Sequence, residues 1–265
     1  MERTEKNKFM TEKKEHTVRY TDSLGREITL YGELCVPERE GRSPAVILCH
    51  GFNGHYTDFP AECDRWGGAG YVCFTFDFCG AQSGGKSAGR TAEEYTPLTM
   101  VEDAKAVFRD MAALPTVDPA RIFLFGGSQG GLVVSLAAAD EELRDRIAGL
   151  AMYFPAFSIP ENWRGARSRH TPLMGYAIGG AYIRSVQKMD PYALIPAYPG
   201  DVCIVAGDRD TLVTGKTVER GVRAYGAERV ALTILPGAGH GFVGEALKTA
   251  VERVLVFFEA HTDET

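Results

Sequence analysis

The chain has 265 residues, 45% of them hydrophobic and 24% charged, with a formal net charge of −6 and a pI near 5.6. A chain of this size can bury one large core, and its acidic balance gives no support to a nucleic-acid or anionic-membrane partner. No run of about 18 apolar residues suggests a membrane span, and the Lys/Glu-rich start from Met1 to His16 lacks the apolar core of a secretory signal, so a cytoplasmic protein is expected.

Residues 1–15 read as a charged lead, frayed or partly helical, ahead of a single α/β domain over 16–265. Thr17 to Thr21 and Glu27 to Val36 gather β-formers around the turn signal Asp22-Ser-Leu-Gly25, which predicts an antiparallel hairpin at a sheet edge. Ala45 to Cys49 is apolar without alternation, as a strand buried on both faces should be, and it runs into His50-Gly-Phe-Asn-Gly54. A helix is predicted over Thr57 to Gly68, with Phe59, Cys63 and Trp66 turned inward, then a strand over Tyr71 to Phe76. That strand ends in Asp77 and a long glycine-rich loop, Phe78 to Arg90. Val101, Ala104, Val107, Phe108 and Met111 share one face of a helix over roughly Thr99 to Ala113, which Pro115 terminates. The six cysteines show no metal-site spacing and read as small reduced core residues, with Cys79, in its loop, the one open to exposure and oxidation.

The next stretch organises the chain. Ile122 to Gly126 is another fully apolar strand, and Leu132, Val133, Leu136 and Ala137 fall at helical spacing directly after it. The reversal between them, Gly126-Gly-Ser-Gln-Gly130, fits Gly-x-Ser-x-Gly in a strand-to-helix context, where a tight turn pushes the Ser128 hydroxyl out above the sheet. A serine hydroxyl is a poor nucleophile until a base takes its proton, and the base needs a third group to orient it.

After a strand over Ile147 to Phe154, the alternation of strand and helix lapses. Residues 155–199 are rich in Pro, Arg, Gly and Tyr, with a weak helical fragment over Tyr176 to Val186, and are expected to form a cap over the strand ends. Its aromatics Trp163, Tyr176 and Tyr182 can stack on a flat substrate or pack the cap onto the body; Phe154 and Phe157 invite the same two readings and are not assigned to the site. The sheet resumes at Asp201 to Ala206, followed by a helix over Lys216 to Tyr225, a strand over Val230 to Leu235 and a closing helix over Glu245 to Ala260.

Two later strands end in Gly207-Asp-Arg-Asp-Thr-Leu-Val213 and Pro236-Gly-Ala-Gly-His-Gly-Phe242. His240, between glycines, is the candidate base. Of the two carboxylates, Asp208 sits where an Asp beside Gly simply shapes a turn, whereas Asp210 lies far enough along to reach the His loop and is the favoured acid. Two backbone N–H groups should receive the developing oxyanion, that of Gln129 at a helix N-terminus and that of Phe52 after the strand ending at Cys49. His50 is assigned a structural role, tying neighbouring loops.

With those residues in view, the sequence resembles the α/β-hydrolase superfamily. His50-Gly-Phe52, the elbow Gly126 to Gly130, Gly207-x-x-Asp210-x-x-Val213 and Gly239-His240-Gly241 carry the resemblance from about residue 17 onward. His50 to Gly54, Ser128-Gln-Gly-Gly131 and the short cap look like bacterial feruloyl or cinnamoyl esterases, and such loops are shared with serine-aminopeptidase-like hydrolases. The loop Gly80 to Ser87 departs from the compact Gly-x-Gly-x-Ser turn of many relatives. The resemblance implies a mostly parallel central sheet with helices on both faces. It also implies a serine esterase acting on a small-molecule ester, such as a hydroxycinnamate, with no metal or organic cofactor. A short-peptide peptidase, an acyltransferase and a non-catalytic small-ligand binder are the alternatives.

Overall fold

The computed structural model describes residues 8–165, 171–173 and 176–262. In chain order it contains β1 (Thr11–Thr21), β2 (Glu27–Pro37), β3 (Ser43–Cys49), α1 (Pro60–Ala69), β4 (Val72–Phe76), α2 (Pro97–Ala113), β5 (Val117–Gly127), α3 (Gln129–Ala139), β6 (Ile147–Tyr153), α4 (Ile159–Asn162), β7 (Thr171–Leu173), β8 (Tyr176–Ile178), α5 (Gly180–Gln187), α6 (Pro191–Leu194), β9 (Val202–Gly207), α7 (Gly215–Tyr225), β10 (Val230–Leu235) and α8 (Gly244–Ala260). Eight strands form one sheet in the order β1-β2-β4-β3-β5-β6-β9-β10, and β7 and β8 pair by themselves. The β1–β2 and β2–β4 pairings are antiparallel and all others in the large sheet are parallel. This is the α/β-hydrolase architecture.

Burial follows from position in the sheet. Every residue of β3, β4 and β9 is buried, because helices cover both faces of the sheet centre. β2, one strand from the edge, alternates, and the edge strand β1 carries Glu12, Lys13, Lys14 and Glu15 on its exposed part, charges that discourage pairing with another chain. α1 packs with α8, while α2 packs with α3 and α5. α2 begins with a capping box, the Thr96 hydroxyl accepting from the Thr99 N–H at 3.1 Å and the Thr99 hydroxyl accepting from the Thr96 N–H at 2.8 Å. α3 is buried on all sides from Gln129 to Ala138, as expected of a helix with no polar face.

Four expectations need correction. Residues 11–15, assigned to a charged lead, are the first half of β1, paired with Glu33 to Pro37; the backbone of Lys8 and Phe9 is anchored on the Gly68 carbonyl, and residues 1–7 lie outside the described residues. The helix expected from Thr57 starts at Pro60, where the fixed φ of proline suits a first turn. Tyr176 to Val186 is not one helix: Tyr176–Ile178 is strand β8, and the helix begins at Gly180. Cys79 is fully buried rather than exposed, and burial pushes its thiol up to about 11, away from reactivity. Its loop folds inward around Arg90, whose buried guanidinium donates to Asp103 at 3.0 Å, while the Cys79 N–H donates to the other oxygen of Asp103 at 3.0 Å. The segment expected to form a cap includes residues 166–170 and 174–175, which lie outside the described residues.

Candidate active site

β3 and β5 are neighbours in the sheet, yet the chain leaves β3 toward β4 on one side and leaves β5 toward β6 on the other. The loops after β3 and β5 therefore separate and open a crevice at the strand ends, the place where open α/β sheets bind ligands. Ser128 sits there. Its backbone has φ 54° and ψ −116°, a left-handed conformation that a non-glycine residue adopts only when its surroundings impose it. A Cβ on Gly126 would overlap the Gly130 backbone, and one on Gly130 would overlap the Cys49 carbonyl, so the turn closes only with glycine at both. Gly51, after β3, comes so close that its Cβ would lie 3.4 Å from that of Ser128.

The three predicted side chains meet. His240 Nε2 lies 3.0 Å from Ser128 Oγ, and His240 Nδ1 lies 2.8 Å from Asp210 Oδ2. The Asp210 side chain is fully buried; its Oδ1 accepts from the N–H groups of Leu212 and Val213, both at 2.8 Å, which leaves Oδ2 aimed at the imidazole. Asp208 turns elsewhere. It is exposed, and its Oδ1 accepts from the Gly237 N–H at 2.7 Å, tying the loop after β9 to the loop after β10. Two aspartates two residues apart thus have different work, because one faces the histidine and the other faces the backbone beneath the histidine loop.

Phe52 and Gln129 border the same pocket as Ser128 and His240. As the first residue of α3, Gln129 has a backbone N–H with no partner inside the helix, at its positive end. Its buried side chain is held by the Tyr182 hydroxyl, which donates to Oε1 at 2.8 Å, and by Met100 Sδ, 3.0 Å from Nε2. His50 is buried and is not among the residues lining the pocket. One ring nitrogen contacts the Gly51 carbonyl at 2.8 Å, the other accepts from the Phe78 N–H at 3.2 Å, and burial lowers its pKa, so it stays neutral and pins two loops together.

The pocket measures about 530 Å³, and its walls include Ala156, Ile159, Trp163, Leu212 and Val213. Among the described lining residues none is Asp, Glu, Lys or Arg. Of the three aromatics weighed from the sequence, Trp163 and Tyr182 reach the pocket, whereas Tyr176 donates its hydroxyl to the Gly80 carbonyl at 2.7 Å and fastens the segment to the loop after β4. Leu212 and the α4 residue Ile159 carry no motif, and Val213 was noted only as the end of the acid motif; all three became wall residues only when their loops were brought to the rim.

A nucleophile-elbow serine at the switch point of a mostly parallel sheet defines an α/β-hydrolase, and the class is that of the serine hydrolases. The chain belongs to the family described as serine aminopeptidase, S33, whose model matches residues 42–195, more than half of its length. It is 33% identical over 118 residues to an uncharacterised 31.7 kDa protein of Escherichia coli from the traX-finO intergenic region, a match covering 44% of this chain and 40% of that protein. The quorum-quenching protein AidA of Acinetobacter baumannii is 30% identical over 109 residues, 40% of this chain and 35% of AidA. The chain thus spans less than half the length of these curated relatives. Among solved structures, Est1E from Butyrivibrio proteoclasticus with ferulic acid bound superposes with a TM-score of 0.77 at 27% identity, covering 91% of this chain and 99% of that one. No described helix is long and apolar enough to cross a membrane.

Proposed function

We propose that the protein is a serine esterase acting on carboxylic esters with an uncharged, largely apolar acyl group, hydroxycinnamate esters among them. Ser128 Oγ adds to the ester carbonyl as its proton passes to His240 Nε2, with Asp210 holding the imidazole tautomer and stabilising the imidazolium. The oxyanion is received by the backbone N–H groups of Phe52 and Gln129. The C–O bond then breaks, the alcohol leaves with the proton from His240, and water repeats the sequence on the acyl-enzyme to release the acid. Residues 155–199 act as the cap that shapes the acyl site within a single domain.

The observation that carries this reading is the unbroken Ser128–His240–Asp210 contact chain opening into an apolar pocket. The similarity to Est1E, whose structure holds ferulic acid, supports a flat aromatic acid as the acyl part. The family description favours a second reading, aminopeptidase activity. A free α-ammonium group needs a carboxylate partner, however, and none of the described residues lining the pocket is acidic, while Asp210 is already committed to His240 and two backbone donors. Methyl ferulate, an alkyl ester of similar size and an aminoacyl amide, compared side by side, test the choice. Ferulate turnover that vanishes in Ser128→Ala is expected; preference for the amide would replace the esterase with the peptidase, and stoichiometric ligand uptake without turnover would leave a binder on a hydrolase scaffold.

A further inference from the structure

The exit of β6, from Tyr153 to Ala156, grips the elbow from two sides. The Ser128 N–H donates to the Tyr153 carbonyl at 2.9 Å, and the Ser128 carbonyl accepts from the Ala156 N–H at 3.0 Å. Both main-chain polar groups of the serine are therefore engaged by one short piece of the neighbouring strand. Between these contacts lies Phe154, with φ 34°, a backbone region that L side chains enter at a cost because Cβ crowds the chain. Its own N–H is satisfied by the Val205 carbonyl of β9 at 2.8 Å. A strained non-glycine residue persists only where its surroundings over-determine it, and such residues gather at functional sites.

This conformation brings the Phe154 ring against His240. The two ring centroids are 4.5 Å apart with the planes inclined at 50°, and Phe242 packs edge-on to Phe154 at 4.8 Å. The imidazole thus has Ser128 on Nε2, Asp210 on Nδ1 and an aromatic ring against its side. Phe154 is not among the residues that line the pocket, so it has no direct part in holding the acyl group.

We propose that Phe154 is a positioning residue for the base. Its ring restricts the imidazole to the one rotamer that meets Ser128 and Asp210 together, and its π face attracts the imidazolium that forms when Ser128 gives up its proton. The proposal rests on the serine-hydrolase reading of this site. It also explains why the strained backbone is kept: a relaxed φ at residue 154 would turn the ring away while the flanking contacts to Ser128 stayed in place.

The test is steady-state hydrolysis of p-nitrophenyl acetate by the full chain, whose small acyl group makes little use of the pocket walls. Phe154→Leu keeps apolar bulk without an aromatic face, and kcat is expected to fall about 10-fold with KM changed by less than about 2-fold. Phe154→Tyr keeps the face and should retain at least about half of kcat. Wild-type kcat in Phe154→Leu overturns the proposal. Equal losses in both variants, in step with a lowered melting temperature, also overturn it, because packing alone would then account for the residue. Ser128→Ala, run alongside, separates the two levels: activity that survives it defeats the serine-hydrolase reading itself, whatever Phe154 does.

Discussion

The elbow and the segment that roofs it are held by different forces. The elbow is set by sterics: glycines at 126 and 130 leave no room for a Cβ, and both backbone polar groups of Ser128 are bonded to the β6 exit. The described residues of the proposed roof between Ala156 and Tyr198 are fastened by separate side-chain contacts. Tyr176 reaches Gly80, Tyr182 reaches Gln129, and Glu161 of α4 pairs with Arg220 of α7 at 2.6 Å, with the same guanidinium 3.9 Å from the Tyr192 ring centroid. A geometry fixed by backbone overlap cannot be adjusted one residue at a time. One fixed by independent side chains can, which suits the proposal that the reacting serine belongs to the first region and the cap that shapes the acyl site to the second.

The comparison can be broken or sharpened by substitutions on each side. The largest effect is expected at the nucleophile, where Ser128→Ala should lower kcat by about 10⁴-fold or more and abolish labelling by an organophosphonate probe without lowering the melting temperature. Asp210→Asn should cost on the order of 10³- to 10⁴-fold in kcat, because an amide stabilises the wrong imidazole tautomer, while Asp208→Asn leaves kcat within about 3-fold. Gly130→Ala should destabilise the fold by about 2–3 kcal/mol in urea denaturation, the overlap with the Cys49 carbonyl being relieved only by moving β3 or α3.

A pH-dependent effect of middle size is expected on the elbow side, at Glu62 of α1, whose charge bears on Tyr153, the residue that accepts from the Ser128 N–H. Burial pushes the Glu62 carboxyl up from 4.5 to about 7. The folded protein keeps this proton where the unfolded chain has lost it, so the group's contribution is complete below about pH 4.5 and is lost as pH rises through 7, by at most about 3 kcal/mol. Glu62→Gln should therefore melt close to wild type at pH 4.5 and above it at pH 8. An unchanged difference between the two pH values would refute that assignment. The smallest effect belongs to the roof. Arg220→Ala removes a half-exposed ion pair worth less than about 1 kcal/mol, so the melting temperature should stay put while KM for methyl ferulate rises about 2- to 3-fold and KM for p-nitrophenyl acetate does not.

Much of this was legible in the residues. Apolar runs without alternation mark strands buried on both faces, and Ile122 to Gly126 and Ala45 to Cys49 are such strands in the structure. Tight turns demand glycine for local reasons, which is why the elbow and the His240 loop stand out in the chain. The N-terminal half of β1 did not, because an edge strand is allowed to be charged and then looks like a solvated tail. Nor did the fragment at Tyr176–Ile178, too short for a period to show.

Order along the chain and local backbone demands were thus enough to single out Ser128 and His240 as candidates, together with the sheet that carries them, since each depends on neighbours a few residues away. Whether Asp208 or Asp210 faced the histidine could be favoured but not decided until the loops after β9 and β10 were side by side. Phe154 could be noted in the sequence only as one more aromatic after a strand, with nothing to set it against His240. Its backbone angle and its contact with His240 arise from β6 being wedged between β5 and β9, a long-range constraint that no window of sequence contains.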